Sequence, residues 1–306
     1  MGVSCCKEVR TVTRNTSRIV TDGDLSIKWI KGNKIGEGMF SKVYEATNTT
    51  NGSLLAVKSI YLTSNREVSK KFINQINKEI TILKKLHHPN IVKYYQMDLE
   101  IESNEVHLIL EFLGEGNLTS FINRFHPLHE SVIRRITKDI LNALSYLHNQ
   151  DIIHRDLKSA NVLMSTENGG TAKLSDFGLS KISSPKRVIT EVAGSPYWMA
   201  PEVLNEQGYA FSADIWSLGC TIIEMILGHP AWAKRCKTTR SLVQYLNDNE
   251  NDLEIPNCSD NLKDLITLCL KRNPLERPTA NQLLDHEFLN KNALQITEVN
   301  TILSEF

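Results

Sequence analysis

The chain has 306 residues, with 35 basic against 35 acidic side chains and 41% apolar content. That length suits a two-lobed unit of about 250 residues with short extensions, and an apolar content this high with only nine prolines excludes a disordered chain. Balanced charge supplies no bulk field for nucleic acid, so no nucleic-acid partner is expected. Cys5, Cys6, Cys220, Cys236, Cys258 and Cys269 form no Cys-x-x-Cys, and Cys220 and Cys269 sit in apolar runs, as reduced thiols of an intracellular protein would.

The chain opens Met1-Gly2-Val3-Ser4-Cys5-Cys6. Gly2 is the acceptor position for N-myristate, although the sixth position, where that pattern takes Ser or Thr, holds Cys6. One myristoyl chain binds a bilayer only marginally. Cys5 and Cys6 offer sites for palmitate, and Lys7, Arg10, Arg14 and Arg18 add attraction to anionic lipid. Two readings stand: a doubly acylated tether to the cytoplasmic face of a membrane, or an unmodified cytoplasmic terminus with incidental cysteines. Residues 1–30 lack the apolar region of a secretory signal. Residues 11–26, rich in Thr, Ser and Asp, read as a linker.

A strand is predicted from Trp29, running into Gly36-Glu37-Gly38-Met39-Phe40-Ser41-Lys42-Val43. Glycines here let backbone N–H groups approach a polyphosphate, and their place between strands argues against a dinucleotide-binding fold. Leu54-Leu55-Ala56-Val57-Lys58 alternates into another strand, where a lone lysine would ordinarily be a solvated charge. Ile73, Ile76, Ile80 and Leu83 then recur at helical spacing with Glu79 beside them, and Pro89 ends that helix. His87 and His88 have no further ligands nearby and are read as structural. Residues 105–112 form an apolar strand broken at Gly114, after which the pattern turns helical over 118–125 and 130–150. Ile215 to Leu227, interrupted by Glu224, is too short to span a bilayer and reads as a buried helix.

Between these lies His154-Arg155-Asp156-Leu157-Lys158-Ser159-Ala160-Asn161, followed by Asp176-Phe177-Gly178 and Gly194-Ser195-Pro196-Tyr197-Trp198-Met199-Ala200-Pro201-Glu202. The first block puts on one loop a carboxylate to receive a hydroxyl proton, a cation for phosphate oxygens and an amide oxygen for a hard metal ion. Asp176 adds a second carboxylate for that metal. His154 reads as a packing and hydrogen-bonding residue. These blocks, in this order, resemble the catalytic loop, metal-binding triplet and activation-segment end of eukaryotic protein kinases.

The resemblance implies an α+β bilobal kinase fold, with a β-rich N-lobe carrying one key helix over 29–113 and a mainly helical C-lobe over 114–289. Residues 1–28 form a basic segment before it and 290–306 a tail. ATP would lie between the lobes, touching Ile35, Gly36, Glu37, Gly38, Val43, Ala56, Lys58, Leu110, Glu111, Leu113, Asn117 and Leu163, with Lys58 paired to Glu79. Mg²⁺ would be held by Asn161 and Asp176, Asp156 would accept the proton, and Lys158 would stabilise the transferring phosphoryl group. In the family, the positions of Asp214 and of the pair Glu202–Arg277 are structural, holding the catalytic loop and the segment end.

Lys158 two residues after Asp156, with Ser195 in the later segment, is similar to the serine/threonine class. The segment from Gly194 and the stretch Gly228-His229-Pro230-Ala231-Trp232 resemble MAP kinase kinase kinases, implying a MAP kinase kinase as substrate; p21-activated and germinal-centre kinases are the alternative. A pseudokinase scaffold is disfavoured because Lys58, Asp156 and Asp176 are all present. Where many relatives carry a phosphorylated residue facing Arg155 and Lys181, this chain has Glu191, so either that carboxylate orders the segment, or Thr190, with Ser183 and Ser184 nearby, carries the switch.

Overall fold

Alternating side chains in the first third of the chain and 3.6-residue periodicity in the rest sort the protein into a sheet and a helical body. The computed structural model describes residues 18–20, 27–38, 41–62, 76–77, 79–100, 103–165, 170–182, 189–248 and 254–290. Gly2, Cys5, Cys6, Ile73, Ser183, Ser184 and the tail beyond residue 290 lie outside them. Two compact units result, Met1–Phe72 with Tyr95–Phe112, and Ile73–Tyr94 with Leu113–Phe306.

The first unit is a six-stranded sheet in the order β1-β5-β6-β4-β3-β2. Its strands are β1 (Arg18–Val20), β2 (Trp29–Glu37), β3 (Ser41–Asn48), β4 (Leu54–Tyr61), β5 (Tyr94–Glu100) and β6 (Glu105–Glu111). Trp29, Ala46, Leu55, Val57 and Ile109 form its core, and the indole Nε1 of Trp29 donates to the buried Asp98 carboxylate at 2.7 Å. One sequence expectation changes here. Within the stretch read as a linker, Arg18–Val20 pairs antiparallel with β5. An edge strand leaves a row of N–H and C=O groups unpaired, and three residues that include β-branched Ile19 and Val20 suffice to satisfy part of β5's edge.

In the second unit residues 76–77 and 79–83 are helical, with Ile76, Ile80 and Leu83 buried as their spacing predicts. Eight named helices follow: α1 (Leu118–Phe125), α2 (Glu130–Asn149), α3 (Pro201–Leu204), α4 (Ser212–Leu227), α5 (Thr239–Asp248), α6 (Asp260–Cys269), α7 (Ala280–Leu284) and α8 (Glu287–Asn290). Two short ladders complete the unit: β7 (Ile152–Ile153) with β10 (Lys181–Ile182), and β8 (Val162–Ser165) with β9 (Thr171–Leu174). α2 buries Ile133, Ile136, Ile140, Leu144 and Leu147 on one face.

α4 is the axis of this unit, since every residue from Ala213 to Met225 is buried. Such all-round burial explains its continuous apolar run. No helix among the described residues is long and apolar enough to cross a membrane. Gly219 lets α4 approach α6 closely: a Cβ there would stand 2.9 Å from both Cys269 Cβ and Leu270 Cδ2. His88 has the structural role expected of it, since its Nδ1 accepts from Asn90 N–H at 3.1 Å and its ring stacks on Tyr146 at 5.0 Å.

Candidate active site

The catalytic loop is a short excursion between β7 and β8, and its backbone is held from below. Asp214, in the first turn of α4 and only 1% exposed, accepts the backbone N–H of His154 and of Arg155, each at 2.9 Å. His148 on α2 donates Nε2–H to the same carboxylate at 2.9 Å. Burial alone would raise the pKa of Asp214, but the His148 bond, the neighbouring imidazoles and the Arg155 N–H hold it below the usual carboxylate range. The purchase matters because Arg155 sits at φ 71°, a left-handed conformation costly for a long side chain. His154 is fully buried, accepts from Asp156 N–H at 3.3 Å and donates to Ser175 O at 3.1 Å, the packing role read for it.

On this frame four polar side chains converge. Lys158 Nζ donates to Asp156 Oδ2 at 2.8 Å and to Ser195 Oγ at 2.6 Å. Ser195 Oγ–H donates to Asp156 Oδ1 at 2.8 Å. Asn161 Nδ2 donates to Asp156 O and Oδ2, both at 2.8 Å. The carboxylate is therefore oriented through both oxygens.

The hairpin β8–β9 brings Asn161 and Asp176 to one end, because Val162 pairs with Leu174. Ser175 fixes that end by donating both N–H and Oγ–H to Asn161 O at 2.9 Å. Asp176 adopts φ 59°. With the Asn161 Nδ2 committed to Asp156, its Oδ1 is the atom left for a cation, and an amide oxygen with a carboxylate is the donor set a hard divalent ion takes. Glu79, 7% exposed, lies beside this end, since a Cβ at Gly178 would be 3.5 Å from Glu79 Oε2 and 3.3 Å from Asp176 Oδ1. Leu163 on β8 bridges to Asn117, whose Oδ1 caps α1 by accepting from Ser120 N–H at 2.9 Å. Leu113 lies half-buried just before that turn.

The sheet unit carries the remaining predicted nucleotide residues. Register places Lys58 opposite Val43 on one side and Leu108 on the other, and Ala56 opposite Leu110. Gly36 faces Val43 across β2–β3, with Ile35 and Glu37 flanking it, and Gly38 N–H closes the turn onto Ser41 O at 2.7 Å. Glu111 ends β6. Met39 and Phe40 lie outside the described residues.

The later segment is pinned to the loop. Gly194 has φ 124°, and a Cβ there would fall 2.6 Å from Arg155 O, so backbone presses on backbone at this point. Glu191 Oε2 lies 3.4 Å from Arg155 Nη2 and 3.5 Å from Lys181 Nζ. Burial works against its ionisation, yet these two cations hold its carboxyl below the usual range. Thr190 beside it is exposed. Arg277 and Glu202 form a buried bidentate pair at 2.6 and 2.8 Å.

Three groups in this site lie beyond the sequence reading. Glu224 of α4 accepts from Ser159 Oγ–H at 2.6 Å and Trp198 Nε1–H at 3.1 Å, joining the catalytic loop to the segment end. His148 supports Asp214 as above, and Tyr209 joins Arg155 to the segment. A glutamate inside an otherwise apolar helix was the one readable signal, since a buried carboxylate needs donors.

Residues 29–289 match the protein kinase domain family. The chain is 41% identical over 270 residues to mitogen-activated protein kinase kinase kinase 2 of Arabidopsis thaliana, covering 86% of this chain and 41% of that protein. It is 39% identical over 271 residues to mitogen-activated protein kinase kinase kinase A of Dictyostelium discoideum, covering 86% and 28%. It is 36% identical over 305 residues to mitogen-activated protein kinase kinase kinase 19 of Homo sapiens, covering 93% and 22%. The chain thus spans less than half the length of these relatives. It belongs to the protein kinase family, with a serine/threonine kinase domain of the MEKK-like type. Use of ATP and a divalent metal ion goes with that family.

Proposed function

We propose that this protein transfers the γ-phosphoryl group of ATP to serine or threonine hydroxyls of a MAP kinase kinase, acting as a MAP kinase kinase kinase. The observation that carries the reading is the closed triangle Asp156–Lys158–Ser195, with Asn161 bonded to Asp156. Asp156 accepts the proton of the incoming hydroxyl, and the Asn161 and Ser195 donors keep its carboxylate turned toward it. Lys158, already bonded to that carboxylate, places its ammonium where charge builds on the transferring phosphoryl oxygens. Asn161 and Asp176 would hold Mg²⁺, which when bound neutralises charge on the phosphates. Lys58 and Glu79 would position the nucleotide, with Ile35, Gly36, Glu37, Gly38, Val43, Ala56, Leu110, Glu111, Leu113, Asn117 and Leu163 around it.

The names of the relatives support the choice of substrate. Incubating the protein with radiolabelled ATP and a set of kinase-inactive MAP kinase kinases tests it: label should enter their activation segments, and absence of label from all of them, with label on a generic protein, would remove the substrate assignment.

Glu191 supplies a fixed negative charge between Arg155 and Lys181 that adds to activity before any phosphorylation, with Thr190 left for further activation. Acylation at Gly2 together with Cys5 and Cys6 tethers the protein to the cytoplasmic face of a membrane.

A further inference from the structure

We propose that Tyr209 is the positioning residue that holds the activation segment in register with the catalytic loop without any phosphate. This deepens the kinase reading and rests on it. Tyr209 lies in the stretch between α3 and α4, is 5% exposed, and engages both partners at once. Its backbone exchanges two hydrogen bonds with Ile189, at 2.9 and 3.0 Å, which makes an isolated antiparallel bridge. Its phenol accepts from Arg155 Nε–H at 2.8 Å and donates to the main-chain carbonyl of Glu191 at 2.8 Å. Arg155 reaches that same carbonyl through Nη2 at 3.2 Å, and its guanidinium lies over the Tyr209 ring, 5.8 Å from the centroid.

The grip therefore falls on the backbone of residue 191, whatever its side chain. The carboxylate contacts are longer, at 3.4 to 3.5 Å, and involve a side chain 65% exposed, where ion pairs are weak. The phenol bonds are short, largely buried and include one to a charged donor, the stronger class. Arg155 is also the residue immediately before Asp156, held at φ 71° by Asp214. A change at the Tyr209 hydroxyl is thus transmitted to the general base through one residue.

Tyr209→Phe tests this, because phenylalanine keeps the ring beneath Arg155 and the bridge to Ile189 while removing only the hydroxyl. Phosphatase-treated wild type and variant are compared for kcat, for KM of ATP, for thermal midpoint and for amide exchange over residues 190–194. The inference expects an active wild type and a variant whose kcat falls about tenfold, the size of one hydrogen bond to a charged group. The KM of ATP and the thermal midpoint stay near wild type, and exchange quickens in that segment alone. Unchanged kcat and exchange would overturn it, as would exchange that quickens throughout the protein with a fall in the midpoint. A wild type active only when phosphorylated would overturn it too, whereas a wild type inactive in both states removes the kinase reading, and segment exchange then decides the inference by itself.

Discussion

At the scale of single residues, the roles proposed around Asp156 each predict a distinct loss. Asp156→Asn removes the proton acceptor but can keep the Lys158 and Ser195 contacts, so turnover should fall by about 10²- to 10⁴-fold with the thermal midpoint retained. Asp176→Asn should cost a similar factor and in addition raise the Mg²⁺ concentration needed for half-maximal rate, read by titrating the metal in a phosphotransfer assay. Glu191→Ala should lower the activity of phosphatase-treated protein only a few-fold, as suits an exposed ion pair of about 0 to 1 kcal/mol, while Thr190→Ala leaves that activity in place. Asp214 predicts a pH response. Its folded-state pKa lies below the unfolded value of about 3.9, so the stability it contributes is complete above that value and is lost as the pH falls through the folded one. The thermal midpoint should drop on acidification below about pH 4, and Asp214→Asn should begin lower and fall less steeply.

At the scale of elements, α4 does the most to unite the site, presenting Asp214 at one end and Glu224 toward the other. Its closeness to α6 depends on Gly219. Gly219→Ala would gain about 1 kcal/mol of helix propensity but force a contact 2.9 Å from Cys269 Cβ, in a place where overpacking costs about 1 to 3 kcal/mol. The net result should be a lower thermal midpoint, measured by calorimetry. α1 and α2 were legible in the chain because their apolar positions recur every three or four residues, α4 because of its continuous apolar run, and the catalytic loop because its functional residues are nearly contiguous. β1 was not, since three residues carry no period and their partner, β5, lies some 80 positions further on. Tyr209 was equally hidden: one aromatic between Gly208 and Ala210 gives no hint that it meets residues 155, 189 and 191. Asn117 shows the opposite case, a polar residue just before an apolar helix, which is a readable N-cap.

At the scale of the whole molecule, the described residues from Arg155 to Glu202 belong to the helical unit, and Lys58 with the strands around it belongs to the sheet unit. Family membership was readable from three motifs, whereas the ties that hold them depend on contacts tens of residues apart, which no local pattern encodes. The proposed membrane attachment rests on Gly2, Cys5 and Cys6. Gly2→Ala should move the protein from the pelleted to the soluble fraction of cells, and replacing both Cys5 and Cys6 with Ser should release most of it, because a single lipid binds only marginally. Wholly soluble wild type with an unmodified Gly2 by mass spectrometry would end that proposal.

The buried pair between Glu202 and Arg277 has a temporal side. Residues 154 to 202 leave the ribosome as one stretch, yet the arginine that holds their far end is synthesised 75 positions later. Until it emerges, Glu202 has no bidentate partner, and a carboxylate at that depth is costly to bury alone. A nascent or truncated chain that stops short of residue 277 should therefore carry every group needed for phosphoryl transfer while its segment end stays open to protease.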